Sequence, residues 1–245
     1  MIIDAHNHIG TRLGRKGQTA EEIVANMDKA GIDKAVVFSY PKYPDNDYIG
    51  ESIKKFPDRL IGWAVLDHRA PHPEPENEFK RAIFELGITG LKMDTPTHGF
   101  SINDLSLVGP TLEICNEYHL PVLCYCADNN FVHPYKFVEL AKRYPNVNFI
   151  MAHFGILMLT SHCIEVAGEY DNLYIEISNA NAMALTDAVN KGVVHKLLFG
   201  TDAPYSYFEA TKATVDCSVF TEEHRELVRS GNMQRIIDQI TLPKK

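Results

Sequence analysis

Long apolar segments, positive charge and cysteine are all scarce in this sequence, and each scarcity argues against a class of protein. The apolar runs at 60–66 and 123–127 are far shorter than the roughly 20 residues that cross a bilayer. With 24 Lys and Arg against 32 Asp and Glu, the formal net charge of -8 gives no positive field to attract nucleic acid or an anionic membrane. Five cysteines, an odd number, do not suit a disulfide-stapled secreted scaffold, and the first residues lack a signal-peptide pattern. We therefore expect a cytoplasmic protein with reduced thiols that binds neither nucleic acid nor membrane.

Short apolar or β-branched runs recur along the chain, about thirty residues apart, with helix-like segments between them. The eight runs are 2–6, 35–39, 60–66, 90–93, 122–126, 148–153, 173–178 and 196–202. Thr19 and Glu22 form a capping box that opens one helix, and other helical segments end at Gly87 or before Pro57 and Pro145. This alternation predicts parallel strands joined by helical crossovers in one α/β domain over 1–245, a length that suits a barrel.

The residues best suited to chemistry stand at the carboxyl ends of the first, sixth and last predicted strands. His6 and His8 alternate with Asp4 along the first strand, so all three are expected on one face, in the barrel interior. Two neutral imidazoles at this spacing can bind one divalent cation. In a closed barrel the last strand lies beside the first, which brings Asp202 next to the histidines as a third ligand or general base. His153, at the end of the sixth strand, faces the same mouth.

In their order along the chain these motifs resemble the amidohydrolase superfamily, in particular its branch of metal-dependent hydrolases and aminocarboxymuconate-semialdehyde-type decarboxylases. The resemblance runs through IDAHNH, GLKM, PVLCYC, ELAKRYPNVNFIMAHFG, LYIEIS, LLFGTDAP and GNMQRII. It implies a (β/α)8 TIM barrel that holds one divalent metal ion, zinc being the first expectation, ligated by His6, His8 and Asp202. It also implies that His153 polarises the substrate or moves a proton, and that Asp202 deprotonates the attacking water.

One position departs from the family pattern. Family members carry a metal-ligating histidine on the fifth strand, where this chain has Tyr125. Three alternatives follow: the metal binds through His6, His8, Asp202 and His153, a shifted register presents Cys124 or Cys126 as softer ligands, or metal is held weakly or not at all. Cys124 and Cys126 are expected to face the helices as small buried hydrophobic residues.

Lys92 ends the fourth strand and is predicted to contact substrate together with Tyr125. Binuclear relatives carry a carboxylated lysine at this position, but their arrangement also needs the missing histidine, so a mononuclear site is expected. Lys92 then either anchors a substrate carboxylate or carbonyl, or pairs with Asp94 or Glu176 inside the barrel. Strand alternation leaves open whether Glu176 faces inward.

We expect a metal-dependent hydrolase that uses a metal-activated water on an amide, lactone or ester bond of a small molecule, with or without a carboxylate. Two alternatives stay open. One is a non-oxidative decarboxylase on the same barrel, and the other is a metal-free barrel that binds a ligand or opens a lactone, which Tyr125 motivates. The expected partner is the small-molecule substrate, and assembly into a homo-oligomer stays open.

Overall fold

The computed structural model describes residues 1–12, 15–70, 74–156 and 158–243. Within these residues, eight barrel strands lie at the positions of the eight predicted runs. They are β1 Ile3–His8, β2 Lys34–Phe38, β3 Leu60–Gly62 with Ala64–Val65, β4 Leu91–Met93, β5 Val122–Cys124, β6 Phe149–Met151, β7 Leu173–Glu176 and β8 Leu197–Leu198. Their pairing is parallel throughout, and the predicted (β/α)8 TIM barrel is confirmed.

The barrel wall is continuous although β3 is interrupted by one residue. The first half of β3 pairs with β2, and the second half begins the series that runs from β4 to β8. The change of partner occurs at Trp63, whose N–H donates to the carbonyl of Val37, whereas the N–H of Ala64 donates to Gly90. A Cβ at Gly90 would lie 2.6 Å from the Trp63 ring, so this close approach requires glycine. The large indole is thereby buried against the next strand.

Closure between β8 and β1 forms the seam of the barrel. The N–H of Ala5 donates to Phe199 over 2.9 Å, and that of His8 donates to Ala203 over 2.8 Å. These bonds hold the segment that follows β8 directly against the end of β1. The predicted proximity of Asp202 to the histidines of β1 follows from this closure.

β1 does not keep a regular alternation of side chains. Its pairing with β2 shifts register between Asp4 and Asn7. Ile3 and Ala5 join the apolar cluster inside the barrel, whereas His6, which lies within the shift, and His8, which follows it, enter the same interior. Asp4 instead accepts hydrogen bonds from the hydroxyl and the N–H of Thr201 at the seam. The expectation that Asp4 shares a face with the histidines is therefore wrong, because the irregular register changes the alternation.

Helices surround the barrel. The α-helices of five residues or more in the described ranges are α1 Ala20–Ala30, α2 Asn46–Lys55, α3 Pro75–Arg81, α4 Leu105–Tyr118, α5 Pro134–Arg143, α6 Thr160–Glu169, α7 Ala182–Asn190, α8 Phe208–Asp216, α9 Glu222–Glu226 and α10 Asn232–Asp238. The predicted capping box of Thr19 and Glu22 opens α1. α3 continues as a π-helix over Ala82–Leu86 and ends at Gly87 with a left-handed φ of 82°. None of the helices in the described part of the chain has the length and apolar character needed to cross a membrane.

The interior of the barrel divides into an apolar and a polar half. Side chains of alternate strand positions fill the apolar half, and Met233 and Ile236 of α10 pack against them. This cluster contains Ile3, Ala5, Val36, Phe38, Trp63, Val65, Leu123, Ile150, Ala152, Tyr174 and Leu198. Polar side chains occupy the carboxyl ends of the same strands, which is the end where barrel enzymes place their catalytic groups.

Candidate active site

All of the predicted site residues meet at the carboxyl-terminal mouth of the barrel. They are His6 and His8 on β1, Lys92 on β4, and Tyr125, His153 and Asp202 just after β5, β6 and β8, joined by Glu176 on β7. Because Tyr174 lies in the cluster inside the barrel, the alternation of β7 directs Glu176 into the same interior. The question that the sequence left open for Glu176 is therefore answered.

His6 lies at the centre of the site and is fully buried. Its Nδ1 lies 2.8 Å from Oε2 of Glu176, a carboxylate oxygen that can only accept, so the ring carries its proton on Nδ1. Burial, reinforced by the nearby Lys92 cation, holds the pKa of His6 well below its ordinary value, which keeps the ring neutral. Its Nε2 lone pair therefore faces Oδ1 of Asp202 across 3.2 Å. Two acceptors at this distance call for a cation between them.

His153 is presented by an unusual backbone. The turn that follows β6 has positive φ angles at His153 (63°), Phe154 (49°), Gly155 (67°) and Ile156 (45°). Left-handed conformations of residues other than glycine cost about 1–3 kcal/mol each and concentrate at functional sites. The turn aims the His153 ring into the mouth instead of letting the chain continue as a regular crossover.

His153 is buried and contacts three neighbouring residues through its backbone and its ring. Its backbone N–H donates to Oε2 of Glu176 over 3.1 Å, its Nδ1 lies 3.0 Å from the hydroxyl of Ser178, and the same Nδ1 lies 4.0 Å from Oδ2 of Asp202. Burial lowers the pKa of His153 to about 3, with a further contribution from His6. At neutral pH the ring is an uncharged imidazole, which can act as a ligand or as a hydrogen-bond donor.

Asp202 contacts both histidines of β1 and is partly exposed at the mouth. It adopts a left-handed φ of 59°, and its side chain is 18% exposed. Its Oδ1 lies 3.3 Å from Nε2 of His8 as well as 3.2 Å from Nε2 of His6. Asp202 is thus the most accessible of the clustered acid and imidazole groups.

One ligand atom from each of His6, His153 and Asp202 lies within 4.8 Å of the others. Two neutral imidazoles and a carboxylate are donors that divalent zinc, manganese and iron accept. Together with the opposed acceptors of His6 and Asp202, this donor set fits a divalent cation. His8 contacts Asp202 but lies outside this compact set.

Cys124 and Cys126 do not belong to the site. Both are buried in the layer between the barrel and its helices, as expected, and Cys126 Sγ lies 4.0 Å from Cys163 Sγ. Burial raises the pKa of both thiols above their ordinary value, which disfavours the thiolate that binds metal. The structure therefore gives no support to a cysteine ligand at this position.

Tyr125 occupies the place of the family histidine without substituting for it chemically. Its ring packs edge-on against His153, with the centroids 5.1 Å apart. Burial raises the pKa of the phenol, and the nearby Asp94 and Asp202 reinforce the effect, so the neutral form is favoured over a phenolate ligand. Tyr125 is partly exposed and lines the entrance.

Lys92 is 2% exposed, which is rare for a lysine without an ionic partner. Its Nζ lies 3.5 Å from Nε2 of His6 and 5.5 Å from the centre of the Phe38 ring. Among the described residues no carboxylate oxygen lies within 4.0 Å of it, so the alternative pairing with Asp94 or Glu176 is not formed. Asp94 instead caps a short helix through the N–H of Thr97.

Glu176 is the residue whose importance sequence reasoning missed. Its Oε2 accepts from His6 Nδ1, from the N–H of His153 and from the Ser178 hydroxyl, and its Oε1 accepts from the N–H of Ser178. It packs so closely on Gly200 that a Cβ there would lie 2.5 Å from its Cγ. A single acid within the apolar strand LYIEIS was the available signal, but its direction depended on the register of β7.

The family comparison agrees with this geometry. Residues 3–237 match the family model described as amidohydrolase. Among curated proteins, 2-amino-3-carboxymuconate-6-semialdehyde decarboxylase of Dictyostelium discoideum is 29% identical over 93 residues, which are 38% of this chain and 23% of that protein. The match thus spans less than a quarter of the decarboxylase's length.

Two solved structures are similar over nearly their whole length. Dihydroxybenzoic acid decarboxylase from a Polaromonas species, with bound manganese and the inhibitor 2-nitroresorcinol, is 18% identical, with a TM-score of 0.78 over 97% of this chain and 96% of that one. 5-Carboxyvanillate decarboxylase from Sphingomonas paucimobilis is 15% identical, with a TM-score of 0.75 over 98% and 99%. At these identities the likeness shows the shared barrel fold.

Proposed function

Because the chain belongs to the amidohydrolase superfamily, in the branch that includes aminocarboxymuconate-semialdehyde decarboxylase, we propose that it is a metal-dependent, non-oxidative decarboxylase of a small carboxylated molecule. The observation that carries the proposal is Lys92, a buried cation beside the metal-ligand set that has no carboxylate partner among the described residues. An anionic substrate group would supply that partner.

His6, His153 and Asp202 would hold the metal ion in this proposal. Bound there, a divalent cation supplies a positive charge that stabilises electron density developing on a substrate oxygen. The dihydroxybenzoic acid decarboxylase named above holds manganese, so manganese stands beside zinc, our first expectation, as the ion to be tested. Glu176 fixes the tautomer of His6 and thereby keeps the Nε2 lone pair available as a metal ligand.

The chain's own residues supply recognition and proton movement. Lys92 binds the carboxylate, and Tyr125 limits the space at the entrance. When the C–C bond to that carboxylate breaks and CO2 leaves, the electron pair stays on the substrate carbon and a proton must replace the lost group. Asp202 is the acid placed to hold and deliver it, and neutral His153 stabilises charge on a neighbouring oxygen by donating a hydrogen bond.

Hydrolysis, the reaction that the sequence favoured, stays a prediction. The same Asp202 would accept a proton from water in that reaction. The names of the similar proteins support decarboxylation better, and so does the buried Lys92, because a hydrolase needs no carboxylate on its substrate. Decarboxylation was the stated alternative and is now our main proposal.

The test is metal content measured together with CO2 release. Protein purified without chelator is assayed against hydroxybenzoates and unsaturated dicarboxylates, and we expect about one metal ion per chain and CO2 release that a chelator abolishes. His6→Ala and Asp202→Ala should lose both metal and turnover. His195→Ala, a change just before β8 at the opposite end of the barrel, serves as the matched control and should retain both. Hydrolysis of esters, lactones or amides, with no release of CO2 from any carboxylate, would overturn the proposal.

A further inference from the structure

We propose that one carboxylate bridges Lys92 and the metal ion, so that metal and carboxylate each strengthen the binding of the other. The inference rests on the proposed function, because it needs both a metal and a carboxylate at this mouth. It adds that the site binds its two ligands cooperatively and that one residue of the chain is responsible.

The first observation is that Lys92 lies against the nitrogen atom of His6 that a metal ion would bind. His6 commits Nδ1 to Glu176 at 2.8 Å, which leaves Nε2 as its only lone pair. Lys92 Nζ lies 3.5 Å from that Nε2. A metal ion bound through that lone pair would lie next to a buried cation, and their repulsion would be weakly screened because His6 and Lys92 are both buried.

The second observation is the burial of the Lys92 charge. The residue is 2% exposed, and among the described residues no carboxylate oxygen lies within 4.0 Å of its ammonium group. A metal ion held at His6 Nε2 would therefore experience the charge of an ammonium group that no carboxylate of the described residues pairs with.

The third observation is the charge balance around His6. Among the described residues, the charged groups in contact with its ring are Lys92, Glu176 and Asp202. A divalent metal ion together with Lys92 exceeds the two carboxylates by one positive charge. One carboxylate from solution restores neutrality, which is the favourable state for a buried cluster of charges.

The fourth observation is the unused donor capacity of Lys92. Its ammonium group has three N–H donors, and the one polar contact made to it by a described residue is the long one to His6. The Phe38 ring lies beneath it at 5.5 Å and offers no hydrogen-bond acceptor oxygen. A carboxylate oxygen would give these donors a charge-assisted acceptor, while the other oxygen faces the metal.

Cooperativity can be measured without turnover. The affinity of the purified protein for Mn²⁺ is determined by competition with a chelating dye, alone and with saturating benzoate or benzamide. We expect benzoate to tighten Mn²⁺ binding about tenfold, a usual size for coupling between two sites. The uncharged benzamide should leave it unchanged. By reciprocity, saturating Mn²⁺ should tighten benzoate binding by the same factor.

Lys92→Met isolates the residue responsible. We expect this variant to bind Mn²⁺ alone more tightly than the wild type, because the repulsion is gone, and to show no effect of benzoate. Lys196→Met is the matched control, since Lys196 is also a buried lysine but bonds the carbonyls of Tyr170 and Asp171 away from the site. It should keep the coupling of the wild type. Thermal melts establish that each variant is folded. If a variant is not folded, the comparison of benzoate with benzamide in the wild type tests the coupling by itself.

The outcomes separate this inference from the proposed function. A coupling factor near one in the wild type, or an undiminished one in Lys92→Met, overturns the inference, and metal-dependent release of CO2 would still leave the decarboxylase standing. Failure of the wild type to bind Mn²⁺ or Zn²⁺, with or without benzoate, overturns both.

Discussion

The two sides of the barrel mouth are built differently. On the side of β6, β7, β8 and β1, Glu176 and Asp202 connect both histidines of β1 and His153 by polar contacts of 2.8–4.0 Å. On the side of β4 and β5, the one polar contact between Lys92 and a described residue spans 3.5 Å, and Tyr125 makes a ring contact with His153 and is partly exposed. The connected side is held in one geometry by its own contacts, as the proposed metal site requires. The other side leaves the Lys92 ammonium group without a carboxylate partner among the described residues, as the proposed binding of substrate requires.

Removing the acceptor on the connected side should have the largest effect. Glu176→Gln keeps the shape but removes the negative charge and one of the two acceptor oxygens, so the amide cannot accept all of the hydrogen bonds that the carboxylate accepts from His6, His153 and Ser178. We expect metal affinity to fall about 10- to 100-fold, the usual result of changing a partner that orients a ligating histidine. The measurement is competition with a chelating dye. Ser178→Ala, which removes one neighbouring hydroxyl, should change the affinity much less, and equal affinity in Glu176→Gln and the wild type would contradict the contrast between the two sides.

The second-largest effect is expected from acid, which should lower the free energy of unfolding through His153 on the connected side. Burial lowers the pKa of His153 to about 3, whereas the unfolded ring has the ordinary value of 6.5. The unfolded state therefore binds a proton more readily between these values, so stability is complete above about pH 6.5 and falls as the pH decreases towards 3. At pH 5 we expect the metal-free protein to lose about 2 kcal/mol of unfolding free energy on account of this residue.

Urea unfolding at pH 7 and pH 5 measures that loss, with His153→Gln as the comparison. The variant has no ionisable ring, so its stability should depend less on pH by about the same 2 kcal/mol. His6 and His68 are also buried imidazoles whose pKa burial lowers, in the case of His68 to about 4, and both are present in the wild type and in the variant. An identical pH dependence in the two would show that the environment of His153 is not as dry as its burial indicates.

Substitution of Tyr125 should have the smallest effect on metal affinity, and it tests the β4 and β5 side of the mouth. Tyr125→Phe keeps the edge-on ring contact with His153, so we expect less than about a threefold change in metal affinity. Tyr125→His introduces an imidazole at the same position and should raise metal affinity above that of both proteins. No increase with histidine would mean that the β5 side cannot reach the ion.

The sequence predicted those features that depend on local pattern and barrel closure. Apolar runs located the strands, and adjacency of the first and last strands predicted that Asp202 meets His6. Features that depend on register were less accessible: the irregularity in β1 removed Asp4 from the predicted face, and the direction of Glu176 required the pairing of β7.

Side-chain and backbone detail also lay beyond sequence reasoning. Of the four residues with positive φ in the turn at His153, one is a glycine, Gly155, so the sequence gives little indication of a left-handed turn. Whether Lys92 pairs with a carboxylate depends on where a long, flexible side chain comes to rest. Both features are set by packing around the mouth and not by any spacing along the chain.

The contact between Glu176 and Gly200 has a consequence for the history of the protein. Since a Cβ at position 200 would lie 2.5 Å from the Glu176 Cγ, mutation at either position is conditional on the other. A lineage that keeps the acid cannot accept alanine at 200 without rearranging β7 or β8, and one that has replaced the acid by a small residue is released from glycine. Descendants should therefore inherit these two positions as a pair, and covariation between them would record which lineages still use the acid to hold His6.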